Sequence, residues 1–189
     1  DLAKKAIQAT ESVFLVEGYM DCVAMIQYGY TNTIATLGTS CTTDHLKILT
    51  RYAKTVYVLY DGDKAGQAAS LRMITEAMKH SGITFMVGQL PAGEDPDSFL
   101  QSKSASQMAD ILKNAVDLLD YAIDHTLKES TTTSIPKVLT ESIIPWLKTI
   151  EDPIQLSFLC QKVAQKSQIS ADVLAAQVMP KRNKQRTRS

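Results

Sequence analysis

The sequence predicts an α/β domain built on a parallel sheet, followed by a small bundle of helices. Two observations carry that prediction. Up to about residue 97, short apolar strand-like runs alternate with helical stretches of about 10–15 residues, the pattern of βαβ units. From about Ser98 onward the strand-like runs stop and helical spacing takes over. A third observation bears on function. Five carboxylates stand where three of the runs end: Glu17 after Val13–Val16, Asp61 and Asp63 after Thr55–Tyr60, and Asp95 and Asp97 after Ile83–Val87. Parallel strands in one sheet deliver all five to the same rim, where open α/β sheets place their ligands. Clustered hard oxygen donors repel one another unless a cation joins them, and Mg²⁺ suits such a set.

Taken in order, Leu2–Ala9 reads as a connector helix within residues 1–10. A strand over 13–17 leads into a helix from Tyr19 to Tyr28, closed by Gly29. A strand over 31–37 ends at Gly38-Thr39-Ser40. Thr42, Thr43 and Asp44 offer caps for a helix over 44–53, with Leu46, Leu49 and Ala53 on its apolar face. The strand over 55–60 runs into Asp61-Gly62-Asp63, and a helix from Ala65 to Lys79 stops at His80-Ser81-Gly82. The strand over 83–90 gives way to a turn-rich Pro91–Asp97, where Asp95-Pro96 is a common turn signal. The α/β domain therefore spans 11–100. A helical subdomain over 101–179 follows, with helical spacing over 104–128, 135–150, 153–167 and 170–178; residues 130–134 read as a linker. Residues 180–189 carry five basic side chains, no acid and no apolar side chain, and are expected to be disordered.

The chain has 189 residues, with Lys plus Arg equal to Asp plus Glu at 20 each, so it lacks the basic excess of a free-standing nucleic-acid binder. No apolar run approaches the length of a membrane span, and no signal peptide opens the chain. It begins with Asp1 rather than Met, as an excised piece of a longer protein would. Cys22, Cys41 and Cys160 are too widely spaced for a metal pair and odd in number, which fits reduced thiols in a cytoplasmic protein. His45, His80 and His125 are isolated and read as structural or surface residues.

Within Asp61-Gly62-Asp63, Gly62 allows a sharp turn, so that two successive acids can face one ion. Ala65-Gly66 then opens a helix whose free N–H groups favour phosphate. Each motif alone has a plainer reading. Asp-Gly-Asp can be an ordinary turn, Glu17 can cap the next helix, and Asp21, four residues after Glu17, can be a solvated helix acid.

Together, Val16-Glu17-Gly18-Tyr19-Met20-Asp21, Leu37-Gly38-Thr39, Tyr60-Asp61-Gly62-Asp63-Lys64-Ala65-Gly66 and Gly93-Glu94-Asp95-Pro96-Asp97 resemble the Toprim domain of bacterial DNA primase, the DnaG type. The helices resemble, less sharply, the helical subdomain that completes the primase core. The resemblance implies a Rossmann-like Toprim sheet. It implies that Glu17, Asp61 and Asp63 are catalytic and that these three, with Asp95 and Asp97, hold metal. Asp21, Gly38, Thr39, Lys64 and Gly66 then bind nucleotide or phosphate or support the site. Lys64 stands where many relatives have arginine, so the charge is kept without the planar fork.

The implied activity is metal-dependent nucleotidyl transfer by a DNA-templated RNA polymerase that makes short primers for replication. Mg²⁺ is the implied cofactor, with Mn²⁺ able to substitute. The implied partners are single-stranded DNA template, nucleoside triphosphates and RNA primer. A replicative helicase would bind through a C-terminal domain that this stretch lacks. The family's zinc-binding domain and basic N-terminal polymerase region also lie outside it, so the isolated chain is expected to be monomeric, inactive, free of zinc and not membrane-bound. The implied location is the bacterial cytoplasm, at the replisome. Two other readings remain open from the residues alone: a Toprim nuclease, with water as the nucleophile, and a non-catalytic interaction module whose acids are solvated turns.

Overall fold

The computed structural model describes residues 2–37, 41–77, 82–128 and 134–178. The chain forms two compact units, the first spanning Asp1–Ala122 and the second beginning at Ile123. In the first, α1 (Leu2–Thr10) precedes β1 (Ser12–Val16), α2 (Tyr19–Gln27), β2 (Thr33–Ala35), α3 (Thr43–Leu49), β3 (Thr55–Val58), α4 (Lys64–Ala77) and β4 (Thr84–Val87). There follow α5 (Pro96–Ser102), α6 (Ala105–Lys113), β5 (Val116–Asp117) and the start of α7 (Leu118–Lys128).

The five strands line up as β2-β1-β3-β4-β5, with β1 to β4 parallel and β5 antiparallel to β4. Register pairs Phe14 with Thr33 on one side of β1 and with Tyr57 on the other. After β1 the chain steps outward to β2, then returns to the opposite side of β1 for β3. The direction of winding thus reverses between β1 and β3, the switch point at which open α/β sheets form their crevice.

Both faces of the central strands are covered, which is why Val13, Leu15, Val16, Val56 and Val58 form near-continuous apolar runs rather than alternating ones. On one face Phe14, Val16 and Leu59 pack with Ala24 and Met25 of α2, Phe99 and Leu100 of α5, and Met108 of α6. Phe14 also meets Tyr30 and Tyr57, each at 5.3 Å between ring centroids. Truncating one such buried side chain to alanine costs roughly 2–5 kcal/mol. This packing fixes α2 and α5 against the strands whose ends carry the acids.

Three parts of the sequence prediction change. The turn assigned to Pro91–Asp97 ends in a helix: Asp95 is the N-cap and Pro96 the first residue of α5. Proline suits that position, because its missing N–H would have had no helical partner and its fixed φ is already helical. The strands do not stop at Ser98, since β5 adds a short antiparallel edge, and it splits the expected helix 104–128 into α6 and α7. Gly62 does not have a positive φ; its role is spatial, as the next subsection shows.

The second unit contains the rest of α7, α8 (Ile135–Val138), a π-helical turn over Leu139–Ile143, α9 (Ile144–Leu147), α10 (Pro153–Ser167) and α11 (Ala171–Val178). The π-turn sits just before Pro145. Proline cannot donate the next backbone hydrogen bond, and a widened turn accommodates that break. Ile123, Leu139, Ile143, Leu147, Leu159, Val163 and Leu174 are buried there, while Trp146 is only half-buried. Asp152 caps α10 by accepting from Ile154 N at 2.7 Å and Gln155 N at 3.0 Å. Among the described residues, no helix is long and apolar enough to cross a membrane.

Candidate metal centre

Glu17 directly follows β1, and Asp61 lies three residues beyond the end of β3. The two strands are adjacent and parallel, so both acids stand at the switch point. Backbone bonds hold the Glu17 segment: Thr36 N–H donates to Val16 O, and Leu37 N–H to Glu17 O, each at 3.0 Å.

The Asp61 turn is held by close approach. A Cβ on Gly62 would run into the carbonyl oxygen of Pro91, and Gly62 N–H donates to Glu94 O at 2.8 Å. The loop after β4 is thereby laid against the loop after β3. A Cβ on Gly66 would likewise strike the Asp61 carbonyl oxygen. The lack of a side chain, rather than an unusual φ, lets the loop after β4 close on the Asp61 turn at Gly62 and lets α4 begin against Asp61 at Gly66.

The carboxylates differ in what satisfies them. Glu17 Oε1 and Asp61 Oδ1 are buried and have no hydrogen-bond partner. Asp63 Oδ1 accepts from Gly66 N–H at 2.8 Å. That amide is therefore occupied in this arrangement and does not present itself to a phosphate. Asp95 Oδ1 accepts from Ser98 N–H at 2.6 Å, while Asp95 N–H donates to Ser98 Oγ at 3.0 Å. Ser98 Oγ also donates to Glu94 Oε2 at 2.9 Å. Asp97 Oδ1 accepts from Gln101 Nε2 at 2.7 Å. Asp21 is buried, its Oδ2 accepting from Gly18 N–H at 2.9 Å and its Oδ1 from Asp97 N–H at 3.3 Å.

Electrostatics follow this crowding. Burial raises the Glu17 pKa, and the negative charges of Asp61, Asp63 and Asp21 push the same way against the partial relief of the Asp61 backbone N–H. The Asp61 pKa is raised first by burial and then by Asp21, Asp95 and Asp63. Asp21 is raised by burial, offset in part by its two backbone donors. Tyr60, buried next along the chain, is also raised, mainly by burial and then by Cys41 and Glu17.

The structure thus links these acids through their charges: Glu17 with Asp61, Asp63 and Asp21, Asp61 with Asp21, Asp95 and Asp63, and Asp21 with Asp95 and Asp97. Lys64 is exposed on the first turn of α4. Gly38 and Thr39 lie outside the described residues, as do His80 and the tail. His45 is a capping residue of α3, its Nδ1 accepting from Thr42 N–H at 3.3 Å. Sequence reasoning missed Ser98 and Gln101, which orient Asp95 and Asp97. The signal for Ser98 was present, since a hydroxyl three residues after an N-cap aspartate forms a reciprocal cap.

Among the described residues, no three His, Cys, Asp or Glu side chains close into a ready-made ligand cage. The residues nonetheless fit a hard divalent ion. Two buried carboxylate oxygens lack any partner, and the donor set is all oxygen.

A Toprim-like family model matches residues 14–100, from β1 into α5 and across every acid of the rim. The DNA primase of Clostridium acetobutylicum is 34% identical over 165 residues, covering 84% of this chain and 27% of that protein. The chain belongs to the DnaG-type bacterial DNA primase family.

The primase of Neisseria meningitidis serogroup A is 32% identical over 190 residues, with 95% of this chain and 32% of the relative covered. The chain thus spans about a quarter to a third of the length of the curated primases it matches. A crystal structure of a DNA primase domain from Pseudomonas aeruginosa superposes with a TM-score of 0.81 at 26% identity, covering 93% of this chain and 56% of that one. A DnaG primase catalytic domain bound to single-stranded DNA matches with a TM-score of 0.78 at 26% identity, covering 90% and 56%. Membership of the primase family implies dependence on a metal.

Proposed function

We propose that this chain is the metal-holding half of a primase catalytic core, which joins ribonucleotides on a single-stranded DNA template to make RNA primers for replication. The observation that carries this reading is the pair of buried, unpartnered oxygens, Glu17 Oε1 and Asp61 Oδ1, on adjacent strand ends at the switch point. In this reading Glu17, Asp61 and Asp63 hold Mg²⁺, with Asp95 and Asp97 completing the set, and Mn²⁺ substitutes. Bound divalent cations would offset the negative charge that grows on the attacking 3′-hydroxyl oxygen and on the leaving pyrophosphate.

The chain's own residues orient and neutralise. Glu17, its pKa raised by burial and by the neighbouring acids, would be held as a carboxylate once a cation offsets that crowding. Asp63 is aimed by its bond to Gly66, and Asp95 by its bonds to Ser98. Lys64 offers a positive charge to phosphate at the mouth of the rim, and Gly38 and Thr39 keep the nucleotide-binding or supporting role that the resemblance implies. Asp21 and Gly66 support the acids.

The DNA-bound DnaG domain supports single-stranded DNA as the template. Nucleoside triphosphates and the primer end are the other substrates, gripped largely by parts of the parent outside this stretch. A replicative helicase would engage the parent through another domain, and the location is the bacterial cytoplasm. The isolated chain is taken to be a monomer that makes no primers. Primer synthesis by the full-length parent tests the reading: Asp61→Asn or Asp63→Asn should remove it while the fold persists, and near wild-type synthesis by either variant would sink the assignment.

A further inference from the structure

Asp21 differs from the other acids of the rim. It is only 7% exposed, and each of its oxygens accepts a backbone N–H, Gly18 at 2.9 Å and Asp97 at 3.3 Å. Those two amides belong to different acid-bearing segments. Gly18 follows Glu17 on the turn after β1, and Asp97 lies two residues past Asp95 at the start of α5. One side chain therefore ties together segments 76 residues apart in sequence. The packing is built around this bridge: α2 lies on α5, and a Cβ on Gly18 would come within 2.7 Å of Asp21 Oδ2. Burying a carboxylate is costly unless it is hydrogen-bonded, and two N–H donors supply that compensation. The contrast with Glu17 Oε1 and Asp61 Oδ1, buried without partners, separates an acid that is already satisfied from acids that await a cation.

We propose that Asp21 is a positioning residue, whose carboxylate bridges the Glu17 turn to the Asp95–Asp97 segment and sets the spacing of the rim acids without itself touching metal or substrate. This rests on the metal-dependent reading of the rim. Asparagine at this position can accept from only one of the two amides through its oxygen and turns an NH₂ donor towards the other.

The test uses Asp21→Asn, with Gly18→Ala as a second variant that crowds the bridge while keeping every carboxylate. In the 189-residue chain, amide exchange at Gly18 and Asp97 should speed up by about tenfold or more in Asp21→Asn, with the β1 amides unchanged. Mn²⁺ affinity should fall by roughly 10–100-fold in both variants, as when residues that orient ligands are lost. In the full-length parent, turnover should stay low at saturating Mn²⁺ while the nucleotide KM changes little, because excess ion replaces a missing ligand charge but does not realign two segments. Recovery of wild-type turnover by Asp21→Asn at high Mn²⁺ would make Asp21 a ligand and overturn the proposal. Unchanged exchange at both amides would also overturn it. A wild-type chain that binds no Mn²⁺ defeats the metal reading itself, and with it anything for Asp21 to position, while the exchange data still report whether the bridge exists.

Discussion

The acids at the ends of β1 and β3 and the acids at the start of α5 share one rim but are held in opposite ways. Glu17 and Asp61 bring buried oxygens with no partner, whereas Asp95 and Asp97 are engaged by Ser98 and Gln101. The first pair gains most from a cation, since only the Asp61 backbone N–H offsets its burial in part. The second pair has a structural task whether or not an ion is bound. Proximity of carboxylates alone would not have separated these roles; the hydrogen-bond inventory does.

The largest expected effect breaks the comparison at its strand-end side. In the full-length parent, Glu17→Gln and Asp61→Asn should each lower primer synthesis by roughly 10²–10³-fold, the scale of losing one electrostatic group from a reaction centre. The same changes remove like-charge repulsion, so the chain without metal should melt at an equal or higher temperature. Lower activity accompanied by a falling melting temperature would instead mean that these oxygens have structural partners after all.

Gly62→Ala probes how the two sides are joined. Its new methyl group meets the Pro91 carbonyl, a backbone atom that cannot rotate away. A cost of roughly 1–3 kcal/mol in urea unfolding is expected, the usual range for forcing extra volume into a packed site. A neutral result would show that the loop after β4 yields freely.

On the helix-start side the effect should be smaller and should depend on the replacement. Asp95→Ala loses the cap of α5 and should cost about 1 kcal/mol, while Asp95→Asn, an equally good cap, should cost almost nothing. If Asp95 also holds metal, Asp95→Asn will still weaken Mn²⁺ binding by calorimetry. Stability and metal affinity thus separate in one pair of variants.

How far this was legible in the sequence follows the same division. Strand ends are visible because a parallel sheet buried on both faces needs continuous apolar runs, so Glu17 and Asp61 stand out where Val16 and Tyr60 finish. Asp95 was visible as an acid but not as a cap, because Asp-Pro begins turns and helices alike and only the packing of Phe99 and Leu100 decides for a helix. The strand Val116–Asp117 is two residues long, too short for any periodicity. The bond from Asp97 to Asp21 joins distant segments and depends on how α2 and α5 pack, which no local pattern encodes. The need for glycine at position 62 was visible, but its reason was not, because a neighbouring carbonyl is a tertiary fact.

The smallest expected effect is the pH dependence of the metal-free chain, and its sign is opposite to that of most proteins with paired carboxylates. Glu17 and Asp61 have pKa values raised above their ordinary 4.5 and 3.8, first by burial and then by neighbouring carboxylates, Asp61 and Asp63 acting on Glu17 and Asp21, Asp95 and Asp63 on Asp61. Over the interval between the ordinary and the raised values, the folded chain binds more protons than the unfolded one, so stability falls as pH rises. The contribution of this pair is complete below the ordinary values and is lost as pH climbs through the raised ones. Both groups are partly solvated, which keeps the effect modest. Saturating Mn²⁺ should reverse the slope, because the ion binds the deprotonated carboxylates and its affinity grows as they ionise. Thermal melts of the wild-type chain across that interval, with EDTA and with Mn²⁺, read both slopes, and Glu17→Gln should flatten the metal-free one. A metal-free melting temperature in which the Glu17→Gln change leaves the slope untouched would place the repulsion elsewhere on the rim, and would remove the main electrostatic reason for setting the strand-end acids apart from those at the start of α5.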